Sequence, residues 1–248
     1  KLFNKLEQDF NKLCFFMDAQ IFKFFPLIVY RSNISIPEQE RSALIEEIRI
    51  MKQNSKNLRE QNKLNAWTGD VQGYELLHKN PKFNQLFIEI KKKIVEYLDT
   101  LSIDKNQIDI YVQRSWGTIS NQKENISPHA HLQSHISFAY YLKKDAGDAK
   151  IVFYDKEKPN EILPGLFDSK SVKRKKIIKE VNLNNAPSVY VEANEGDILI
   201  FPSKTIHGTD PLANNDERIS ISADITLIAK ESKLLEHLVP PIENWKKI

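Results

Sequence analysis

Apolar residues recur at two different periods along this chain of 248 residues. In the first half the spacing is helical. "KLFNKLEQDFNKLCFFMDA" (1–19) carries Leu2, Leu6, Phe10, Leu13 and Met17 on one face and reads as an N-terminal helix packed on the domain. "SIPEQERSALIEEIRIMKQ" (35–53) opens with Ser35 and Pro37, which suit a helix start, and continues with Leu44, Ile45, Ile48 and Met51 on one face. "NPKFNQLFIEIKKKIVEYLDTL" (80–101) repeats the pattern with Phe83, Leu86, Phe87, Ile90, Ile94 and Leu98. Between these helices lies a polar and aromatic connector holding Trp67 and Gly69.

From about residue 107 the period shortens to two. "QIDIYVQRSWGTI", "HISFAYYLKK", "AKIVFYD", "SVYVEA", "DILIFPS" and "RISISADITLI" are short, rich in β-branched and aromatic residues, and bounded by Gly, Asp, Asn and Pro. Short strands at this spacing predict a β-sandwich or barrel. The chain therefore reads as one domain: residues 1–105 as mostly helical support, 106–228 as the β-rich core, and 229–248 as a helical tail. One long polar segment, 156–187, interrupts the strands with Lys170, Lys173, Arg174, Lys175, Lys176 and Lys179. It is either a solvated loop or a lid, and as a lid its charge would favour an anionic substrate.

Composition narrows the setting. A net charge of +3 and 28% charged residues give no reason to expect nucleic acid or membrane as the main partner. Cys14 is the single cysteine, so no intrachain disulfide or thiolate cluster can form, and a reducing, cytoplasmic compartment is expected. The most hydrophobic stretch, "IFKFFPLIVY" (21–30), holds Lys23 and Pro26 and is far shorter than the ~20 residues of a membrane span. It reads as a core strand.

The candidate chemistry lies in "SPHAHLQSHISFAYYL" (127–142), which holds three of the six histidines. If His129 and His131 lie on one strand, their rings share a face, as two adjacent ligands of a metal must. Polar residues clustering at a strand end would give the same spacing. His135 would share that face under strict alternation, as a ligand, a second-layer partner or a substrate contact. His78 and His237 sit in polar surroundings and read as surface residues, and Trp67 and Trp116 as structural aromatics. About 75 residues on, "GDILIFPSKTIH" ends in His207, and Arg218 opens an otherwise small and apolar strand. A buried guanidinium needs an anion. Asp216 and Glu217 could serve, or the carboxylate of a small ligand could.

Taken together, His129-Ala130-His131, "ISFAYYL", "GDILIFPSKTIH" and Arg218-Ile219-Ser220, with "FPLIVY", "WTGD" and "SWGTI" upstream, resemble the Fe(II)- and 2-oxoglutarate-dependent oxygenases. The likeness spans about residues 22–228 and is closest to a microbial and phage branch. It implies a double-stranded β-helix, or jelly-roll, core. It further implies that His129 and His131 lie on one strand and His207 near the end of another, together binding one Fe(II). Arg218 would pair with the distal carboxylate of 2-oxoglutarate, Ser220 would add a hydrogen bond, and Tyr141 and Ser137 would line the cosubstrate pocket. Dioxygen would be consumed, with succinate and carbon dioxide released. The second position of the pair is usually Asp or Glu, and here it is His131. Halogenating relatives carry a small residue there, which His131 is not, so hydroxylation of a small metabolite or side chain is expected. A non-enzymatic cupin-like binding protein, and a three-histidine dioxygenase without cosubstrate, are the competing readings.

Overall fold

The computed structural model describes residues 20–55, 64–70, 73–146, 150–168, 177–231 and 238–248. The expected N-terminal helix over 1–19, His237, and the basic cluster Lys170 to Lys176 lie outside the described residues. The described residues hold two α-helices, α1 (Glu38–Asn54) and α2 (Asn84–Thr100), where the 3.6-residue period lies. Pro37 stands at the start of α1 with Glu38 and Glu40 in its first turn, where the free backbone N–H groups favour acids.

The described residues also hold nine strands: β1 (Tyr30–Asn33), β2 (Trp67–Thr68), β3 (Ile108–Ser120), β4 (Ile136–Lys143), β5 (Ile151–Tyr154), β6 (Ser188–Val191), β7 (Asp197–Pro202), β8 (His207–Thr209) and β9 (Arg218–Ala229). They form a six-stranded sheet in the order β1-β7-β4-β9-β3-β2 and a three-stranded sheet in the order β6-β5-β8. Both are antiparallel throughout. The architecture is the jelly-roll, with the helices layered on one outer face.

The larger sheet packs its two faces differently. Ile136, Phe138, Tyr140 and Leu142 of β4, Ile198 and Ile200 of β7, and Ile219, Ile221 and Ile225 of β9 form one core with Leu44 and Ile48 of α1 and Leu86, Ile90, Ile94 and Leu98 of α2. The opposite face meets the smaller sheet through Tyr141, Leu199 and Phe201 against Ile151 and Phe153. Each fully buried aliphatic side chain contributes about 1.5–3 kcal/mol, so the helix layer is a principal source of stability.

Strand β3 carries an irregularity that matters for the interior. Its pairing with β9 shifts between Val112 and Arg114. Before that bulge, Ile108, Ile110 and Val112 face the helices; after it, Ile119 does, and Gly117 lies against Ile48. The extra residue reverses the phase of the strand. As a result Trp116 and Thr118 line the interior cavity.

Two expectations are corrected. Of the stretch 21–30 expected as a core strand, only Tyr30 is β-structure, where it opens β1 at the edge of the larger sheet. Phe22, Phe24 and Phe25 are exposed, because Pro26 lacks the N–H a ladder needs and Phe25 has a positive φ. His78 is half-buried rather than on the surface, with Nδ1 2.8 Å from Ser115 Oγ in a 3-10 turn. In 229–248 the described residues hold the 3-10 turn Ile242–Asn244, and 232–237 lie outside them. No helix among the described residues is long and apolar enough to cross a membrane.

A Cβ at Gly117 would sit 2.7 Å from Ile48 Cγ2, which is held by the helix layer. Gly117→Ala is expected to destabilise the fold by about 1–3 kcal/mol through overpacking. A lowered urea midpoint, with a smaller cost of Gly117→Ala in an Ile48→Ala background that lacks Cγ2, would verify the contact; an unchanged midpoint would refute it.

Candidate metal centre

His129, His131 and His207 converge, each offering a ring nitrogen within 4.8 Å of the others. They do so by a route other than a shared strand. His129 and His131 precede β4 in an irregular segment, and a turn at Leu132–Gln133 separates them from it. The expectation of two ligands on one strand is therefore corrected. Pro128 cannot donate to a ladder, and the turn ends the alternation before the strand begins. His135 consequently falls away from the cluster: it is exposed, and its Nδ1 accepts the N–H of Leu227 at 3.0 Å.

Backbone pairing fixes two of the rings. His129 and His207 exchange both N–H···O=C bonds at 2.9 Å, a closed antiparallel pair that sets their side chains together. His207 thus opens β8 rather than closing a strand. Gly208 follows it, where a Cβ would lie 2.8 Å from the carbonyl oxygen of Ile126, so only glycine lets the 126–129 segment approach. The N–H of His131 donates to the carbonyl of Ser203 at 2.9 Å.

Each ring has an oxygen acceptor on Nδ1: the carbonyl of Ser127 for His129 at 2.9 Å, the carbonyl of Thr205 for His207 at 2.9 Å, and Asp224 Oδ1 for His131 at 2.6 Å. Carbonyls and carboxylates only accept, so each neutral ring carries its proton on Nδ1 and turns the Nε2 lone pair inward. Nε2 of His129 and Nε2 of His131 face each other at 3.0 Å. Two lone pairs at that distance repel unless a cation lies between them, and the donor set is the imidazole nitrogen that first-row divalent metals favour. The residues fit a metal ion.

Burial pushes the pKa of His207 down to about 3, with the neighbouring His129 and His131 rings adding to the effect. It is therefore neutral at ordinary pH, the form that binds metal. Burial alone would raise the Asp224 carboxyl. Hydrogen bonds and charge from His131 and Arg114 outweigh it and hold the group below the usual carboxylate range.

The three rings border a cavity of about 280 Å³ that is also lined by Arg218, Ser220, Tyr141 and Ser137. All seven residues singled out from the sequence thus reach one cavity. Arg218 is buried, and its Nη2 donates to Ser120 Oγ and Thr209 Oγ1, both at 2.9 Å. Asp216 and Glu217 turn elsewhere, Asp216 to Lys143 and Glu217 to Arg49 and Lys143. Ser137 spends its hydroxyl on Ser203 Oγ at 2.8 Å. Burial raises the Tyr141 phenol, and the Arg218 charge works against that rise.

Sequence reasoning missed Asp224 and the hydroxyls of Ser120 and Thr209, and it took Trp116 for a structural aromatic. Trp116 stacks on His131 with centroids 5.5 Å apart and planes 10° from parallel. Asp224 had a signal: a lone carboxylate within the alternating run "RISISADI", to which the buried-charge argument made for Arg218 applies equally.

In the unfolded chain His207 titrates near 6.5, so on acidification the unfolded state binds a proton that the folded state does not. Above about pH 6.5 this group leaves stability unchanged; below it, stability falls, and the loss levels off near pH 3. The expected loss is about 2 kcal/mol at about pH 5. Urea unfolding of the metal-free protein measures it, and in His207→Gln this part of the slope should vanish.

No curated protein matches the chain in sequence. Residues 114–224 match the family model described as "Putative 2OG-Fe(II) oxygenase". Among solved structures, the chain is similar to SnoN, a non-heme alpha ketoglutarate dependent epimerase from nogalamycin biosynthesis, at 12% identity over 83% of this chain and 82% of that one, with a TM-score of 0.53. It is similar to SnoK, a carbocyclase of the same biosynthesis, at 11% identity over 85% of each chain, with a TM-score of 0.52. HygX from Streptomyces hygroscopicus, in a structure with nickel, 2-oxoglutarate and hygromycin B bound, matches at 11% identity over 80% of this chain and 82% of its own, with a TM-score of 0.50. At such identities these neighbours establish the jelly-roll fold, while the family match falls on the strands that carry the cavity. Over residues 114–224 the chain is thus similar to a family described as 2OG-Fe(II) oxygenases, on the fold that these neighbours share.

Proposed function

We propose that the protein is a dioxygenase that holds Fe(II) on His129, His131 and His207 and hydroxylates an unactivated C–H bond of a small metabolite or side chain. The observation that carries this reading is the convergence of three Nε2 atoms, each Nδ1 tied to an oxygen, beside a buried arginine in the same cavity. Bound iron supplies the activation of dioxygen that couples decarboxylation of 2-oxoglutarate, to succinate and carbon dioxide, with oxidation of the substrate.

The remaining work belongs to the chain. His129, His131 and His207 would hold the iron through their Nε2 atoms, and the cavity beside them would receive the cosubstrate. Arg218 takes the distal carboxylate of 2-oxoglutarate, an arrangement supported by its burial and by the two hydroxyls that aim the guanidinium. Ser220 adds a hydrogen bond from the same strand, and Tyr141 and Ser137 shape the pocket wall. Ile151 and Phe201 give the cavity an apolar side that limits water around the reacting atoms. Thr68, Asp70, Asn125 and Ser127 also line it and offer polar contacts to the substrate. The fold neighbour HygX holds the same kinds of ligand, a metal and 2-oxoglutarate, in its own structure. A reducing, cytoplasmic setting suits a chain with one cysteine and a redox-active metal.

Anaerobic titration with Fe(II) and then 2-oxoglutarate is expected to develop the visible charge-transfer band of the chelated cosubstrate. Arg218→Ala should weaken cosubstrate binding by roughly 30-fold or more, about 2–5 kcal/mol for loss of a buried charge partner, and leave metal affinity nearly unchanged. A band and turnover that survive Arg218→Ala would refute the role of Arg218. Iron binding with no band in the wild type would make the chain a metal-binding jelly-roll without this cosubstrate.

A further inference from the structure

Three imidazoles carry no charge, whereas the usual facial site of two histidines and a carboxylate carries one negative charge. Strand β9 holds the missing charge one ring further out. Asp224 is fully buried, and an ionised carboxylate is kept in such a place only if strongly paired.

Its two oxygens divide their partners. Oδ1 lies 2.6 Å from His131 Nδ1 and accepts from Ser134 Oγ at 3.3 Å. Oδ2 accepts from Arg114 Nε at 2.8 Å, Arg114 Nη2 at 2.5 Å and Gln133 Nε2 at 2.9 Å. The 2.6 Å contact is at the short end for a charge-assisted N–H···O bond. The other two histidines give their Nδ1–H to backbone carbonyls, which carry no net charge. The arrangement closes on itself: Arg114 lies over the Trp116 ring at 5.3 Å, and Trp116 stacks on His131. Four side chains thus fix the plane of one ring and the direction of one carboxylate.

We infer that Asp224 is a positioning residue that supplies, through His131, the negative charge its three-histidine metal site lacks. The inference rests on the metal reading proposed above. A carboxylate accepting the Nδ1 proton raises the electron density at Nε2 and with it the basicity of the ligand. Arg114 does not cancel this effect. Its side chain is 32% exposed and shares its charge with water, whereas the carboxylate is fully enclosed and points one oxygen at the ring. His131 together with Asp224 then does the electrostatic work of the usual ligand carboxylate.

The test reads Co(II) affinity, using an oxygen-stable probe, alongside the melting temperature of each metal-free variant. Asp224→Asn keeps an acceptor and removes the charge; it should weaken Co(II) binding by about 10–100-fold. Arg114→Gln keeps a donor to Oδ2 and removes the opposing cation; it should tighten binding several-fold. In a His131→Asp background the sign should reverse, because two carboxylates would then repel, so adding Asp224→Asn should tighten binding. A merely structural Asp224 predicts weaker binding from all three changes, and that result would overturn the inference. So would unchanged affinity in Asp224→Asn. If Asp224→Asn fails to fold, Arg114→Gln decides by its sign, since it removes a partly exposed group. A wild type that binds no Co(II) would overturn the three-histidine reading as well, which separates the two failures.

Discussion

Strand β9 is hydrogen-bonded on both edges, to β4 and to β3, and both of its faces are covered. Every residue on it is therefore committed to one of two interiors. Ile219, Ile221 and Ile225 enter the helix-backed core and are fully buried. Arg218, Ser220 and Ser222 line the cavity, and Asp224 joins the hydrogen-bond network of the histidines. A slip of one residue would place a guanidinium and a carboxylate among isoleucines, an exchange too costly for the fold to tolerate. The same register that assembles the hydrophobic core thereby aims the charged groups of the site.

The neighbours of β9 inherit that constraint. In the paired rows, Arg114 and Ser137 flank Asp224, Trp116 and Ala139 flank Ser222, and Thr118 and Tyr141 flank Ser220. On β3 these inward positions exist only because the bulge after Val112 reverses the strand's phase. The centre consequently depends on a backbone irregularity about as much as on side-chain chemistry. The smaller sheet contributes through one closed pair of backbone hydrogen bonds, which joins the irregular His129 segment to β8. Rigid strands thus hold Arg218 and Asp224, and a loop clamped at both ends holds two of the three histidines. Such a division suits a metal site, whose ligands must be fixed in direction yet brought from distant parts of the chain.

Much of this was legible in the linear order of residues. The helical period marked α1 and α2, and the alternation of β4, β7 and β9 marked the strands together with their buried faces, because burial on one side of a helix or strand imposes a repeat. His129, His131, His207 and Arg218 stood out for a related reason: polar groups beside apolar runs require partners. Asp224 carried the same signal and was passed over, since "ISISADI" alternates so regularly that its last polar member reads as one more small residue. The local stretch around Pro26 misled, because hydrophobicity marks a strand only where the backbone can pair.

Local order thus determined the elements, their buried faces and the identity of the residues that could carry chemistry, since each follows from the period and composition of a short segment. Only the tertiary structure decided which of them meet. The exclusion of His135 came from a turn, the inward phase of Trp116 from a bulge, and the pairing of His131 with Asp224 from contact across 93 positions of sequence. None of these has a local signature, because each depends on how strands from separate parts of the chain come into register. The charge balance of the site is likewise a property of the folded protein: its carboxylate reaches the histidine cluster only once β9 lies between its two neighbours.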